Sequence, residues 1–249
     1  MTSLVVESPI IEKSSGRTHE HLFFTGMACL IALIVFIGFA RTYYLAGSFD
    51  AKALPAPIVH VHGAVFTCWI ALLVVQTLLV GTGHTKAHRR LGLVGVGLAP
   101  LIVLLGVLVA IEMLARFAAT PSFDSPLIFA VALSEIAGFA VPVFFALRLR
   151  RRREDHKRLL VIGTIAMTTA GFGRWPVSFL LHKPLPAMLC AFTLLTLVMA
   201  YDRMSRRRLQ PVTVWGSAWV VFVELSGFAV GHTAAWHAFA VHVRSLALW

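Results

Sequence analysis

Long apolar runs separated by short charged segments dominate this chain. Each run holds about 20 residues, which is the length an α-helix needs to cross the hydrocarbon core of a bilayer. The pattern therefore predicts an all-α integral membrane protein with seven membrane-spanning helices. The predicted spans are 22–45, 57–82, 90–115, 127–148, 158–181, 186–202 and 212–232.

The same pattern divides the chain into three parts. Residues 1–20 are polar and form the predicted cytoplasmic N-terminal segment, residues 21–232 form the membrane domain, and residues 233–249 form an interfacial C-terminal segment. Stretch 234–248 within the last part is short and contains histidines and an arginine, which favours an interfacial helix over an eighth span. The third, fourth and fifth spans should be kinked by prolines: Pro100, Pro142 and Pro176.

Composition and charge support a membrane protein and set its orientation. Apolar residues make up 58% of the chain and charged residues 13%, whereas about a quarter of a soluble domain is charged. No polar segment is long enough for a soluble catalytic domain. The net charge of +11 is concentrated in short loops, which excludes nucleic acid and leaves the lipid bilayer as the expected partner. Lys and Arg lie mostly on one side of the predicted spans, so the N-terminus is predicted to be cytoplasmic and the C-terminus outside.

Two similar segments indicate an internal repeat. His88-Arg-Arg-Leu opens the third span and His156-Lys-Arg-Leu opens the fifth, and each segment ends in a glycine. The repeat predicts two helix pairs, spans two and three and spans four and five, that form a four-helix core. The remaining three helices are expected to wrap around this core. The glycines at Gly227 and Gly231 should allow close helix contact.

Histidine is unusually frequent for so apolar a chain, with 11 residues. In a four-helix core, His88 and His156 would begin diagonal helices at the same depth. Two imidazoles facing each other across a bundle are what b-type haem requires, because its iron takes one nitrogen from each side. Haem b is therefore the predicted cofactor. The neighbouring Arg89, Arg90, Lys157 and Arg158 would suit its propionates. The alternative is that these histidines are interfacial and that their arginines only set the topology.

A second polar group is predicted in the outer half of the bundle. Glu135, Arg174 and Glu224 lie inside three different spans, where charges are costly and usually face the bundle interior. Four histidines lie just above the same level: His60, His62, His182 and His232. Three interpretations remain open. The group could bind a quinone-like or small polar ligand and relay protons, it could hold a metal, or Arg174 and Glu135 could form a structural ion pair.

The motif His60-Val-His62-Gly63 … Trp69 … Gln76 … His88-Arg-Arg-Leu-Gly92, with His156-Lys-Arg and Arg174 further on, resembles that of a bacterial multi-helix membrane family known only as a domain of unknown function. The resemblance covers about 57–180. It implies a protein of the bacterial cytoplasmic membrane and functional positions at His60 or His62, Gln76, His88, His156 and Arg174. The chain departs from the family pattern by lacking a tryptophan after His88-Arg and after His156-Lys-Arg. Its layout is also distantly similar to that of transmembrane b-type cytochromes.

These observations lead to one principal hypothesis and two alternatives. The principal hypothesis is a small redox protein with haem between His88 and His156, a quinone-like site under the outer face, and quinone or a redox protein as partner. The first alternative is an accessory subunit or a transporter of protons or small solutes that uses the buried Glu and Arg residues. The second is a seven-helix metal-dependent hydrolase. No catalytic residue and no metal ligand is assigned.

Overall fold

The structure is a computed structural model that describes residues 9–49, 56–120 and 123–246, with side chains from residue 19 onward. Within these ranges the regular structure is helical and contains no strands. The α-helices are α1 (Pro9–Phe39), α2 (Pro57–Gly81), α3 (Thr85–Arg116), α4 (Ser125–Arg148), α5 (Arg153–Ala166), α6 (Thr168–Phe172), α7 (Pro184–Arg206), α8 (Pro211–Gly231) and α9 (Ala234–Leu246).

Six helices are long and apolar enough to cross a membrane: α1, α2, α3, α4, α7 and α8. The chain is therefore an all-helical protein of the multi-pass membrane type. Most of these helices have a proline in their first turn. The fixed φ of proline suits the first helical turn, where the N–H that proline lacks would have no partner in the helix. Helix α9 has 13 residues and is about 20 Å long at 1.5 Å per residue, too short to cross.

The fifth predicted span is not one continuous helix. Helix α5 ends at Ala166, α6 ends at Phe172, and the chain then forms turns up to α7. Glycines at 171 and 173 and Pro176 weaken any helix in this region, and Gly171 lies directly against Gly38 of α1. The expected helix over 158–181 is therefore wrong beyond Phe172, and Pro176 lies in the turn segment rather than at a kink.

Helix α4 lies at the centre of the bundle and packs against α3, α5 and α8. The close contact predicted at Gly227 and Gly231 is confirmed: Gly227 lies against Ser134 and Gly231 against Leu127, both on α4. A side chain at either glycine would separate the two helices. Helix α8 is thus part of the centre, and the expectation that the last predicted span wraps around the outside is wrong.

The bundle has two distinct ends. The basic end carries the turns between α2 and α3, between α4 and α5, and between α7 and α8, together with most of the Lys and Arg residues. The opposite end carries the α3–α4 loop, the α6–α7 segment and α9. His88 and His156 are each the fourth residue of their helix at the basic end, in agreement with the similarity of the two segments. Both helices, α3 and α5, pack against α4.

Candidate functional site

Two buried carboxyl groups lie on neighbouring helices inside the bundle. Glu224 on α8 is fully buried, and Thr169 Oγ1 donates a hydrogen bond of 3.1 Å to its Oε2. Its other carboxyl oxygen, Oε1, is also buried and has no hydrogen-bond partner. Glu135 on α4 is buried and lies near enough for its charge to act on Glu224. A Cβ added to Gly138, one turn along α4, would lie 3.8 Å from Glu224 Oε1. The glycine therefore lets the carboxyl approach α4 closely.

Arg174 is an exposed residue whose positive charge lies near Glu135. Its Nη1 donates a hydrogen bond of 2.7 Å to the carbonyl of Ala170, and its guanidinium lies 4.6 Å from the centre of the Phe39 ring. The charge of Arg174 acts on Glu135 and also on His62, whose buried Nδ1 has no partner. The name carboxyl site is used below for four residues: Glu135, Thr169, Arg174 and Glu224.

The structural ion pair proposed between Arg174 and Glu135 is not formed. Their charged atoms are not within 4.0 Å of each other. Arg174 follows the end of α6, where its side chain turns back to the free carbonyl of Ala170 and covers the Phe39 ring. Glu135 and Glu224 are therefore buried in apolar surroundings without a direct ionic partner.

Three of the four predicted outer histidines lie outside the carboxyl site. The side chains of His60, His182 and His232 are exposed. The ring of His182 packs edge-on against Phe123, and His232 Nδ1 lies 2.8 Å from the carbonyl of Phe228 on its own helix. His60 and His62 differ in exposure, as expected for residues two apart on a helix. Only His62 of the four faces the bundle interior.

A second polar group lies at the basic end. Gln76 Nε2 donates a hydrogen bond of 3.1 Å to the backbone carbonyl of His88, whereas Gln76 Oε1 and His88 Nδ1 are buried without partners. His156 Nδ1 lies 2.8 Å from the carbonyl of Ala146, and His156 is near enough for its charge to act on His88. The name imidazole site is used below for Gln76, His88 and His156.

The protonation state of His156 suits a metal ligand. Burial lowers its pKa, and the bond to the Ala146 carbonyl only partly offsets this effect. The ring is therefore neutral at pH 7, and the carbonyl holds the proton on Nδ1. This leaves the Nε2 lone pair free, as in histidines that bind metals.

The basic residues expected to hold haem propionates fit less well. Lys157 forms ion pairs with Glu20 and Glu154, and Arg158 pairs with Glu154 and with Asp202. Both are therefore engaged within the protein, because α1 and α7 bring acidic residues to the same end. Arg89 and Arg90 at the start of α3 remain exposed.

The ion-pair network at the basic end was not predicted from the sequence. Arg158 and Asp202 are fully buried, and Nε and Nη2 of the arginine donate to Asp202 Oδ1 at 2.9 and 2.6 Å. Asp202 Oδ2 accepts a hydrogen bond of 2.5 Å from Thr213 Oγ1 at the start of α8. The network joins α1, α5 and α7 through six residues: Glu20, Glu154, Lys157, Arg158, Asp202 and Arg206.

Glu154 is the acidic centre of the outer part of this network. Partial burial raises the pKa of its carboxyl. Hydrogen bonds from Lys157 and Arg158 and the charge of Arg206 lower the pKa by more than burial raises it, so that the net pKa is about 2. Glu154 therefore stays ionised at neutral pH and holds α5 and α7 together at this end. Its side chain is 42% exposed, so water screens these ion pairs more than the buried pair of Arg158 and Asp202.

A site for a metal ion is not apparent in the described ranges. No group of three or more His, Cys, Asp or Glu residues with suitable geometry occurs among the residues that the structure describes. A cavity of about 170 Å³ opens at the opposite end between α3, α4 and α9, beside Asp124 and His237. It lies away from both the carboxyl site and the imidazole site. The metal-dependent hydrolase hypothesis gains no support from these ranges.

Comparison with known proteins adds no further information. No family model, no curated protein and no solved structure matches this chain.

Proposed function

We propose that this protein carries protons across a membrane, alone or together with a small solute, and that the carboxyl site binds them. The observation that carries this proposal is the burial of Glu224 beside Glu135, with the Oε1 atom of Glu224 unpaired. Two ionised carboxylates whose charges act on each other inside an apolar bundle repel each other and lose their hydration. Binding a proton relieves both penalties.

The break between α5 and α6 supports this proposal. Thr169, the hydrogen-bond donor to Glu224, lies in the short helix α6, two residues beyond the break at Met167. Interrupted helices in the membrane interior are typical of transporter binding sites, because their free backbone groups and mobile ends line the site. The break therefore lies beside the group that is proposed to exchange protons.

Orientation and location are proposed on the same basis. The Lys and Arg residues concentrate at the basic end, so we place that end in the cytoplasm and the carboxyl site toward the outer face. The resemblance noted in the sequence favours the cytoplasmic membrane of a bacterium.

Replacing Glu224 with glutamine tests this function directly. The purified protein would be placed in liposomes that contain a pH-sensitive dye, and a potassium gradient with valinomycin would drive proton entry. We expect Glu224→Gln to reduce proton flux to the level of protein-free liposomes, because the amide cannot take up and release the proton. Glu135→Gln is expected to slow flux as well.

The matched control is Glu112→Gln, the same change at a partly buried acid on α3. It should leave the flux unchanged. The proposal is wrong if Glu224→Gln keeps the wild-type flux. Equal elution of all variants on size exclusion would establish that they are folded.

We propose electron transfer through b-type haem as a second candidate function. The observation that favours it is the imidazole site, in which His88 Nδ1 is unpaired and His156 has a fixed ring with a free Nε2. His88 and His156 would hold the haem, Arg89 and Arg90 would face its propionates, and quinone or a redox protein would be the partner. When bound, haem supplies reversible one-electron chemistry.

An absorbance spectrum tests this candidate. Protein purified from cells supplied with haem should show a Soret band that shifts when dithionite is added, together with sharp α and β bands. His88→Ala and His156→Ala should each remove these bands, because a low-spin haem needs both imidazoles. The control His84→Ala changes an exposed histidine in the α2–α3 turn and should have no effect. A flat spectrum from the unmodified protein would rule out this candidate.

A further inference from the structure

One face of α8 is completely buried and carries three polar residues, with the buried Val220 on the same face. Thr213, Ser217 and Glu224 are spaced by four and seven residues, so they lie within about 40° of one another around the helix axis. Each is at most 1% exposed. Helix α8 packs with this face toward α4 and α5. A buried carboxyl group in an apolar bundle usually has a functional role, and the two hydroxyl groups lie in line with it.

This polar face connects the two regions described above. Toward the basic end, the Thr213 hydroxyl donates a hydrogen bond to Asp202 of the ion-pair network. Toward the opposite end, Glu224 belongs to the carboxyl site. Ser217 lies between them, about 6 Å along the axis from Thr213 and about 10 Å from Glu224 at 1.5 Å per residue.

The hydroxyl of Ser217 is unsatisfied. Its Oγ is buried and has no hydrogen-bond partner. Other hydroxyl groups in helices of this bundle, such as those of Thr164 and Ser205, donate to a carbonyl one turn earlier in the same helix. A buried hydroxyl without a partner costs free energy, which a water molecule or a passing proton carrier would recover.

We propose that the buried face of α8 is the route by which protons pass between the basic end and the carboxyl site. This inference rests on the proposed function. A proton enters from the basic end beside Asp202, and water molecules beside Thr213 and Ser217 carry it onward. Each hydroxyl accepts a proton at its oxygen as it releases its own, and Glu224 Oε1 accepts the last one. No bond other than O–H forms or breaks.

The charges facing this route are known from each packed element. Helix α4 contributes Glu135, α5 contributes Arg158, and α7 contributes Asp202. The atoms nearest to the adjacent Gly216 belong to Leu159 and Ile162 of α5. Ser217 is the only hydroxyl residue on the buried face of α8 between Thr213 and Glu224, and the buried Val220 lies between Ser217 and Glu224.

Ser217→Ala tests the route in the same liposome assay. We expect this variant to lower proton flux about tenfold, a barrier increase of about 1.4 kcal/mol, whereas Ser217→Thr keeps a hydroxyl and should restore most of it. The matched control is Ser226→Ala, a serine on the opposite side of the same helix. It should keep wild-type flux.

The experiment separates the route from the function. An infrared band of a protonated carboxyl that is lost in Glu224→Gln but kept in Ser217→Ala would show that the second variant retains an intact carboxyl site. If Glu224→Gln abolishes flux while Ser217→Ala equals wild type, the route is wrong and the function stands. If Glu224→Gln itself transports normally, the proposed function fails.

Discussion

Replacing Asp202 with alanine is expected to destabilise the protein by about 3–5 kcal/mol, which is the usual result of removing one partner from a buried ion pair. Arg158 would then remain fully buried and keep only the partly exposed Glu154 as an ionic partner. The interaction lost includes two hydrogen bonds from Arg158 and one from Thr213. The measurement is thermal unfolding of the purified protein in detergent.

Two further variants identify the cause. Arg208→Ala removes an exposed arginine at the same end of the bundle and should leave the melting temperature nearly unchanged. The double variant Arg158→Met with Asp202→Leu removes both charges at similar volume, and such replacements are often neutral or stabilising. It should therefore be much more stable than Asp202→Ala. If Asp202→Ala has the same melting temperature as the wild type, the buried pair of Arg158 and Asp202 does not hold the basic end together.

Much of the fold could be predicted from the sequence because apolar run length is a strong signal. Six of the seven predicted spans correspond to helices that are long and apolar enough to cross. The exception, 158–181, is mostly apolar, but glycines and Pro176 divide it and end its helix early. Hydropathy records the apolar character of a segment. It does not record where the helix breaks or that Gly171 lies directly against α1.

The polar sites could be predicted in part. Glu135, Arg174 and Glu224 stood out because ionisable residues in apolar spans are rare. His182 and His232 were grouped with them by depth alone, and sequence gives no side-chain direction near helix ends. Their rings are exposed.

Asp202 was missed because it ends an apolar span, where charged residues usually reach water. The sequence analysis predicted that Arg158 sets the topology or binds a cofactor. An ion pair with one acidic residue of a neighbouring span is enough to allow its burial, as Asp202 shows. Pairing between spans that are distant in the chain depends on the order in which the helices pack. The hydrophobic pattern does not encode that order.

Replacing Gly227 with alanine is expected to separate α8 from α4 and to disturb the carboxyl site. The added methyl group would overlap the Ser134 side chain and lie 3.2 Å from the Ala130 carbonyl. Overpacking of this kind costs about 1–3 kcal/mol. Since Glu224 is one turn from Gly227, we expect proton flux to fall together with the melting temperature.

Ser134→Gly in the same chain should reverse much of this loss, because it removes the atoms that the new methyl group meets. The control is Gly97→Ala on α3, where an added Cβ has no neighbour within 4 Å. Exchange of a helical glycine for alanine at such a position is favourable by about 0.5–1 kcal/mol, so this variant should be at least as stable as the wild type. Equal stability of Gly227→Ala and Gly97→Ala would contradict the close contact of α4 and α8. If Ser134→Gly restores the melting temperature but not the proton flux, the position of Glu224 depends on Ser134 itself.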